Sequence, residues 1–334
     1  MIIKINALRK TYVTHERGSS FIDSLKSLIK RKIIQVEALK GISFNVEEGE
    51  MLGLLGPNGA GKSTILKILT GVLYPTSGEV EVMGYVPWIK RKQYVAGIGA
   101  VFGQKSQLIW DIPPLDSFEM NRVIYDIPAR LYKERLWGMV ELLEVGEYVK
   151  KPTRQLSLGE RMKCEFIMAM LHDPEIVFLD EPTIGLDVIA KERIREFIMN
   201  MNRKGITFVL TTHDLDDVEL LAKRVIVINN GEIVYDNRMD ALRKFFGNRK
   251  LVTLVTQKPL PDLNGIPGVY VKDMITPHNA ELELNTDLLE LNRFIKSIND
   301  EYIISDLTMR PPQIDSIVKE LYITTNKSYT NKEV

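Results

Sequence analysis

Residues 56–63 read GPNGAGKS, directly after the apolar run MLGLL and directly before TILKILT. They match G-x-x-x-x-G-K-[ST] in the strand–loop–helix setting that gives the pattern its meaning. Glycines there let successive backbone N–H groups face one anion with no Cβ in the way. The following helix start adds partial positive charge. Lys62 is placed to reach the β- and γ-phosphates of a nucleotide, and Ser63 to ligate Mg²⁺. Gly56, Pro57, Asn58, Gly59, Ala60, Gly61 and Thr64 complete the predicted cradle.

A second constellation follows at 176–181, IVFLDE, where a buried strand ends in two carboxylates. Asp180 is expected to join Ser63 around Mg²⁺. Glu181 is expected to polarise a water for in-line attack on the γ-phosphate. A paired carboxylate separates a hydrolysing enzyme from a mere binder. Gln104 and His213 each close an apolar run, at the carboxyl ends of predicted strands. Open α/β sheets bind their ligands there. An amide at 104 can meet metal and water, and a neutral imidazole at 213 can donate to the γ-phosphate.

Residues 155–160, QLSLGE, open a predicted helix that runs from 157 to about 172. Ser157 and Glu160 have the spacing of a capping box. Gly159 is not explained by a cap, since glycine lowers helix propensity by about 1 kcal/mol. It is consistent with N–H groups left open for an anion.

The elements that must position these groups alternate. Residues 1–13 read as an edge strand, and 42–46, 51–55 and 79–83 as further strands. Residues 18–33 read as an amphipathic helix, with Phe21, Leu25, Leu28 and Ile29 on one face. The segment 116–145 carries two helix patterns, one opened by Asp116 and one with Pro128 as first helical residue. Strand and helix then alternate to a hairpin turning at Asn230-Gly231, which indicates an α/β core with a parallel sheet. After about 245 the order becomes strand, strand, strand, helix, strand and a final helix, PPQIDSIVKELY.

The chain has 334 residues, enough for two domains. Lys+Arg and Asp+Glu both number 44, which argues against wholesale nucleic-acid or acidic-lipid binding. The single cysteine, Cys164, excludes an internal disulfide framework. No run approaches the roughly 18 apolar residues of a spanning helix.

Together, GPNGAGKST, Gln104, LSLGE, IVFLDEP, GLD at 185–187 and His213 resemble the ATP-binding subunit of an ABC transporter, over residues 1 to about 240. The resemblance implies an α/β P-loop NTPase fold with a RecA-like core, an antiparallel β subdomain and a helical subdomain at about 105–172. An insert at 15–36, a small α+β accessory domain at 245–324 and a disordered tail at 325–334 complete the expected organisation. It implies ATP hydrolysis with Glu181, His213 and Gln104 as catalytic residues, and Mg²⁺ held by Ser63, Gln104 and Asp180. Tyr12 matches the aromatic that stacks on adenine. Two such domains, a homodimer or close paralogues, are expected to pair head to tail. Ser157, Gly159, Glu160 and Asp187 would then complete the ATP site of the second copy. The family signature is usually Leu-Ser-Gly-Gly-Gln, so Leu158 and Glu160 depart from it. VFGQKSQLIWDIPPLDSFE and EPTIGLDVIAKERIREF resemble a prokaryotic branch related to drug and antibiotic exporters. That likeness implies a separate transmembrane permease, a peripheral place on the cytoplasmic face of the membrane, export, and no nucleic-acid partner. The alternatives are an importer ATPase of the same fold and a soluble, non-transport ABC ATPase.

Overall fold

Alternating apolar residues bury one face of β1 (Ile3–His15), with Ile3, Ile5 and Leu8 in the core. The structure, a computed structural model, describes residues 1–15, 33–103, 105–212, 215–245, 249–263 and 265–310. β1 is not an edge strand. It pairs antiparallel with β2 (Ile33–Val46) on one side and with the strand Ser77–Val82 on the other. Alternation reports one buried face, and says nothing of how many neighbours share the backbone hydrogen bonds. β2 also begins far earlier than the expected 42–46. Residues 34–37 of this strand are exposed, Ile34 and Val36 among them, so these apolar residues mark no core face. Ile33, the expected end of the 18–33 helix, opens this strand opposite His15; residues 16–32 lie outside the described residues.

β3 (Met51–Leu55) is buried at every position and feeds α1 (Lys62–Leu69). Then come β4 (Ser77–Val82), α2 (Arg91–Ala96), β5 (Ile98–Phe102), α3 (Pro114–Ile124), α4 (Ala129–Leu142) and α5 (Leu158–Met170). β6 (Ile176–Asp180), α6 (Val188–Arg203), β7 (Thr207–Thr211), α7 (Leu215–Leu221), β8 (Arg224–Asn229) and β9 (Glu232–Arg238) follow. The helix at 116–145 starts earlier than expected: Pro113 caps α3, Pro114 is its first residue, and Asp116 lies within its first turn. Pro128 caps α4 rather than opening it.

A six-stranded sheet runs in the order β5-β6-β7-β3-β8-β9. Its four pairings from β5 to β8 are parallel. The register places Phe102, Asp180, Thr211 and Leu54 in one row. Four strands therefore deliver their carboxyl ends to one edge. α1 packs between this sheet and the three-stranded sheet β2-β1-β4, in a single core that includes Leu8, Leu39, Ile65, Ile68, Phe178 and Val209.

The chain divides into two compact units, Met1–Asn237 and Arg238–Val334. The second holds α8 (Met239–Phe245), β10 (Arg249–Thr256), β11 (Val269–Thr276), β12 (Asn279–Asn285), α9 (Leu291–Tyr302) and β13 (Ile304–Arg310). Its sheet is antiparallel, in the order β11-β12-β10-β13. The expected final helix and the tail lie outside the described residues. Among the described residues, no helix is long and apolar enough to cross a membrane.

Candidate functional site

The turn after β3 leaves Pro57, Asn58 and Gly59 exposed and buries Ala60, Gly61 and Lys62. Gly61 caps α1 at φ 111°, in the left-handed region. A Cβ there would stand 2.7 Å from the Ala38 carbonyl oxygen, so no larger residue fits. The Lys62 ammonium folds back over the turn and donates to the carbonyls of Gly56 (2.6 Å) and Pro57 (3.1 Å). Burial lowers its pKa, while Glu181 and Asp180 pull it the other way. The lysine is thus a cation held at the loop by acceptors that a better anion could replace.

Ser63 donates to Asp180 Oδ1 at 3.1 Å, and Thr211 donates to the same oxygen at 2.5 Å. Hydroxyl and carboxylate oxygens held together are hard donors and fit Mg²⁺, which keeps several waters and uses few protein ligands. Glu181 lies one residue beyond β6 and its N–H donates to the Thr211 carbonyl at 2.9 Å. A cleft of about 920 Å³ gathers Gly56, Ser63, Lys105, Asp180 and Glu181 on its wall. Tyr12, partly exposed, has its hydroxyl 3.4 Å from the Thr64 hydroxyl, and the Lys10 ammonium lies 5.3 Å from its ring. Gln104 and His213 lie outside the described residues.

The start of α5 is elsewhere. Ser157 Oγ accepts from the Glu160 N–H (3.3 Å), and Glu160 accepts from the Ser157 N–H (2.8 Å), closing the capping box. Asp187 caps α6 in the same manner, accepting from the Ala190 N–H at 2.8 Å. Gly159 has a reason within the chain that its sequence did not disclose. A Cβ there would lie 2.9 Å from Ala190 Cβ, so the two helix starts meet through it. Ser157, Gly159, Glu160 and Asp187 form one cluster, and none of them lines the cleft.

Two carboxylates escaped sequence reasoning. Glu165, 3% exposed on α5, accepts from the Ser106 hydroxyl and from the Gln107 N–H at 3.0 Å, tying the segment after Gln104 to that helix. Burial raises its pKa and these donors oppose the rise. The available signal was an acid between Met162 and Phe166, on an otherwise apolar stripe. Asp217, 1% exposed, sat unremarked in the acidic run DLDDVE.

The family model described as ABC transporter matches residues 39–184. Over 212 residues the chain is 33% identical to the energy-coupling factor transporter ATP-binding protein EcfA of Methanosphaera stadtmanae, spanning 63% of this chain and 76% of that protein. The chain belongs to the ABC transporter family. This ABC ATPase is also 28% identical over 271 residues to the linearmycin resistance ATP-binding protein LnrL of Bacillus subtilis, spanning 81% of this chain and 87% of that one. Among solved structures, a dimeric ATP-binding cassette bound to ADP and Pi in a post-hydrolysis state matches with TM-score 0.59 and 26% identity. That match covers 71% of this chain and 99% of that one. The chain is accordingly the ATP-binding, ATP-hydrolysing component of an ABC transporter.

Proposed function

We propose that the ABC ATPase works as one of a pair, closing on ATP between two copies and driving a separate membrane permease in the direction of export. Residues 56–64 cradle the phosphates, with Lys62 exchanging its carbonyl partners for β- and γ-phosphate oxygens. Tyr12 stacks on adenine. Ser63 and Asp180, with Gln104, hold Mg²⁺, which when bound supplies positive charge to the phosphates. Glu181 polarises the attacking water and His213 donates to the γ-phosphate. Ser157, Gly159, Glu160 and Asp187 serve the site of the second copy. A helix start carries partial positive charge, which suits a γ-phosphate, and Ser157 and Asp187 at the starts of α5 and α6 are exposed.

The observation that carries this reading is a division. Ser63, Asp180 and Glu181 line one cleft, with Lys62 donating to the carbonyls of Gly56 and Pro57 on its wall, while none of the Ser157 cluster lines it. Two half-sites in one chain are what a head-to-tail pair needs. The likeness to a resistance protein, extending over 81% of this chain, supports export. In this reading the chain is peripheral, on the cytoplasmic face of the membrane, and binds no nucleic acid.

Glu181→Gln tests the reaction. With Mg²⁺ and ATP it is expected to migrate as a dimer by light scattering, and to lose turnover by about 10²-fold or more. Near-normal turnover overturns the role of Glu181, and a monomer under those conditions overturns the pair. For direction, the subunit is isolated from membranes with its multi-span partner and sealed into vesicles. ATP-driven flux toward the side bearing this subunit would favour import instead.

A further inference from the structure

Glu181 has φ 52°, the left-handed region that a residue with a Cβ occupies at a cost of about 1 kcal/mol or more. Such a backbone persists only where its surroundings over-determine it. Part of the constraint is local. The Glu181 N–H donates to the Thr211 carbonyl at 2.9 Å, and the Glu181 carbonyl accepts from the Ile184 N–H at 3.4 Å. Two helices add to it. Thr183, two residues beyond Glu181 and 2% exposed, donates its hydroxyl to Asp217 Oδ2 on α7. Asp217 Oδ1 accepts from Arg195 Nε on α6 at 2.6 Å, and the same guanidinium makes a second close contact with that oxygen. Each carboxylate oxygen thus has one task, one neutralised by the arginine and the other gripping the turn.

A buried ion pair is weak support for stability, because desolvation offsets most of the attraction. An apolar trio of the same volume would hold α6 against α7 at least as well. What it could not do is fix the direction of a hydroxyl on the residue that ends the Glu181 turn.

We infer that Thr183, Asp217 and Arg195 are positioning residues that hold the turn carrying Glu181 in its reactive geometry. This rests on the proposed role of Glu181. The arrangement joins α6, whose first turn belongs to the Ser157 cluster, to the turn at the cleft.

The test is Thr183→Val, which keeps the shape and removes the hydroxyl, with Thr183→Ser, which keeps the hydroxyl. In the purified full chain, Thr183→Val is expected to lower kcat for ATP hydrolysis about 10-fold or more, with KM for ATP within about twofold of wild type. Thr183→Ser is expected to recover most of that loss. Set into Glu181→Gln, Thr183→Val is expected to add no further loss, since a group acting through Glu181 has nothing left to position. The proposal is overturned if Thr183→Val retains wild-type kcat, if its loss appears in KM alone, if Thr183→Ser is equally impaired, or if the double variant shows the full product of the two losses. Should Glu181→Gln itself turn over normally, the reading of Glu181 fails instead, and the two failures are told apart. Thermal unfolding of Thr183→Val checks that the fold is kept; a kcat loss matched by an equal loss in folded fraction also counts against the proposal.

Discussion

One carboxylate in each unit keeps different company. In the second, Glu283 sits on β12 between its neighbours and is 8% exposed, but Arg249 on β10 (3.0 Å) and Lys272 on β11 (2.7 Å) neutralise it across the sheet. In the first, half-buried Asp180 accepts from two hydroxyls, Ser63 and Thr211, both at Oδ1, which leave its charge. The sheets explain the contrast. In the second unit β11 turns straight back into β12, and antiparallel neighbours collect no single row of carboxyl ends. Parallel strands need long crossovers and leave a row of carboxyl ends together, here Phe102, Asp180, Thr211 and Leu54. The Glu283 charge is spent within its own sheet, while the Asp180 charge lines the cleft, where Lys62 feels it.

This contrast can be broken most forcefully in the second unit. Phe294 is 2% exposed at the centre of a core with Val252, Leu254, Leu282 and Ile298. Phe294→Ala is expected to destabilise that unit by about 3–5 kcal/mol, while kcat per folded molecule of the ABC ATPase stays near wild type. Urea unfolding followed beside ATPase assays checks both; a large fall in kcat before unfolding would show the units to be less separate in function than in packing. Lys62→Ala is the converse. It is expected to lower turnover about 10²-fold or more, by removing a cation aimed at the phosphates. It should cost little stability, because a buried ammonium already suffers from desolvation. A cost in stability as large as that of Phe294→Ala would make Lys62 a structural residue.

The smallest effect is one of pH. His172 donates from Nε2 to the Ile98 carbonyl at 2.8 Å and stacks on Tyr125 at 4.0 Å, while its buried Nδ1 has no hydrogen-bond partner. Burial holds its pKa below the usual histidine value, with the Ile98 carbonyl opposing the shift, Arg135 reinforcing it and Asp173 countering it. The folded state therefore takes up the proton less readily than the unfolded chain. The stability that follows is complete above the unfolded value of about 6.5 and is lost as pH falls through the folded value. The unfolding midpoint should drop as pH falls below about 6.5, and the slope should be shallower in His172→Gln. Equal slopes in the two proteins would place the acid sensitivity elsewhere.

The phosphate loop was legible because its chemistry is made by contiguous backbone: glycines, a lysine and a hydroxyl in one turn. Asp180 was legible because an apolar strand ending in acid is a local pattern. The groups that depend on remote partners were not. Glu165 and Asp217 look like solvated acids until Ser106 and Gln107, or Thr183 and Arg195, are brought to them from 22 or more positions away. The place of β1 in its sheet was hidden for the same reason, since strand order is set by which faces can be covered. The packing role of Gly159 stayed hidden because its neighbour Ala190 is distant along the chain.

That glycine constrains descent as well as geometry. With Ala190 Cβ only 2.9 Å from where a side chain would begin, position 159 tolerates no enlargement unless its opposite number shrinks. Gly159→Ala should therefore be inherited only alongside Ala190→Gly, as a suppressor pair, and genetic selection for transport would recover the second change when the first is imposed.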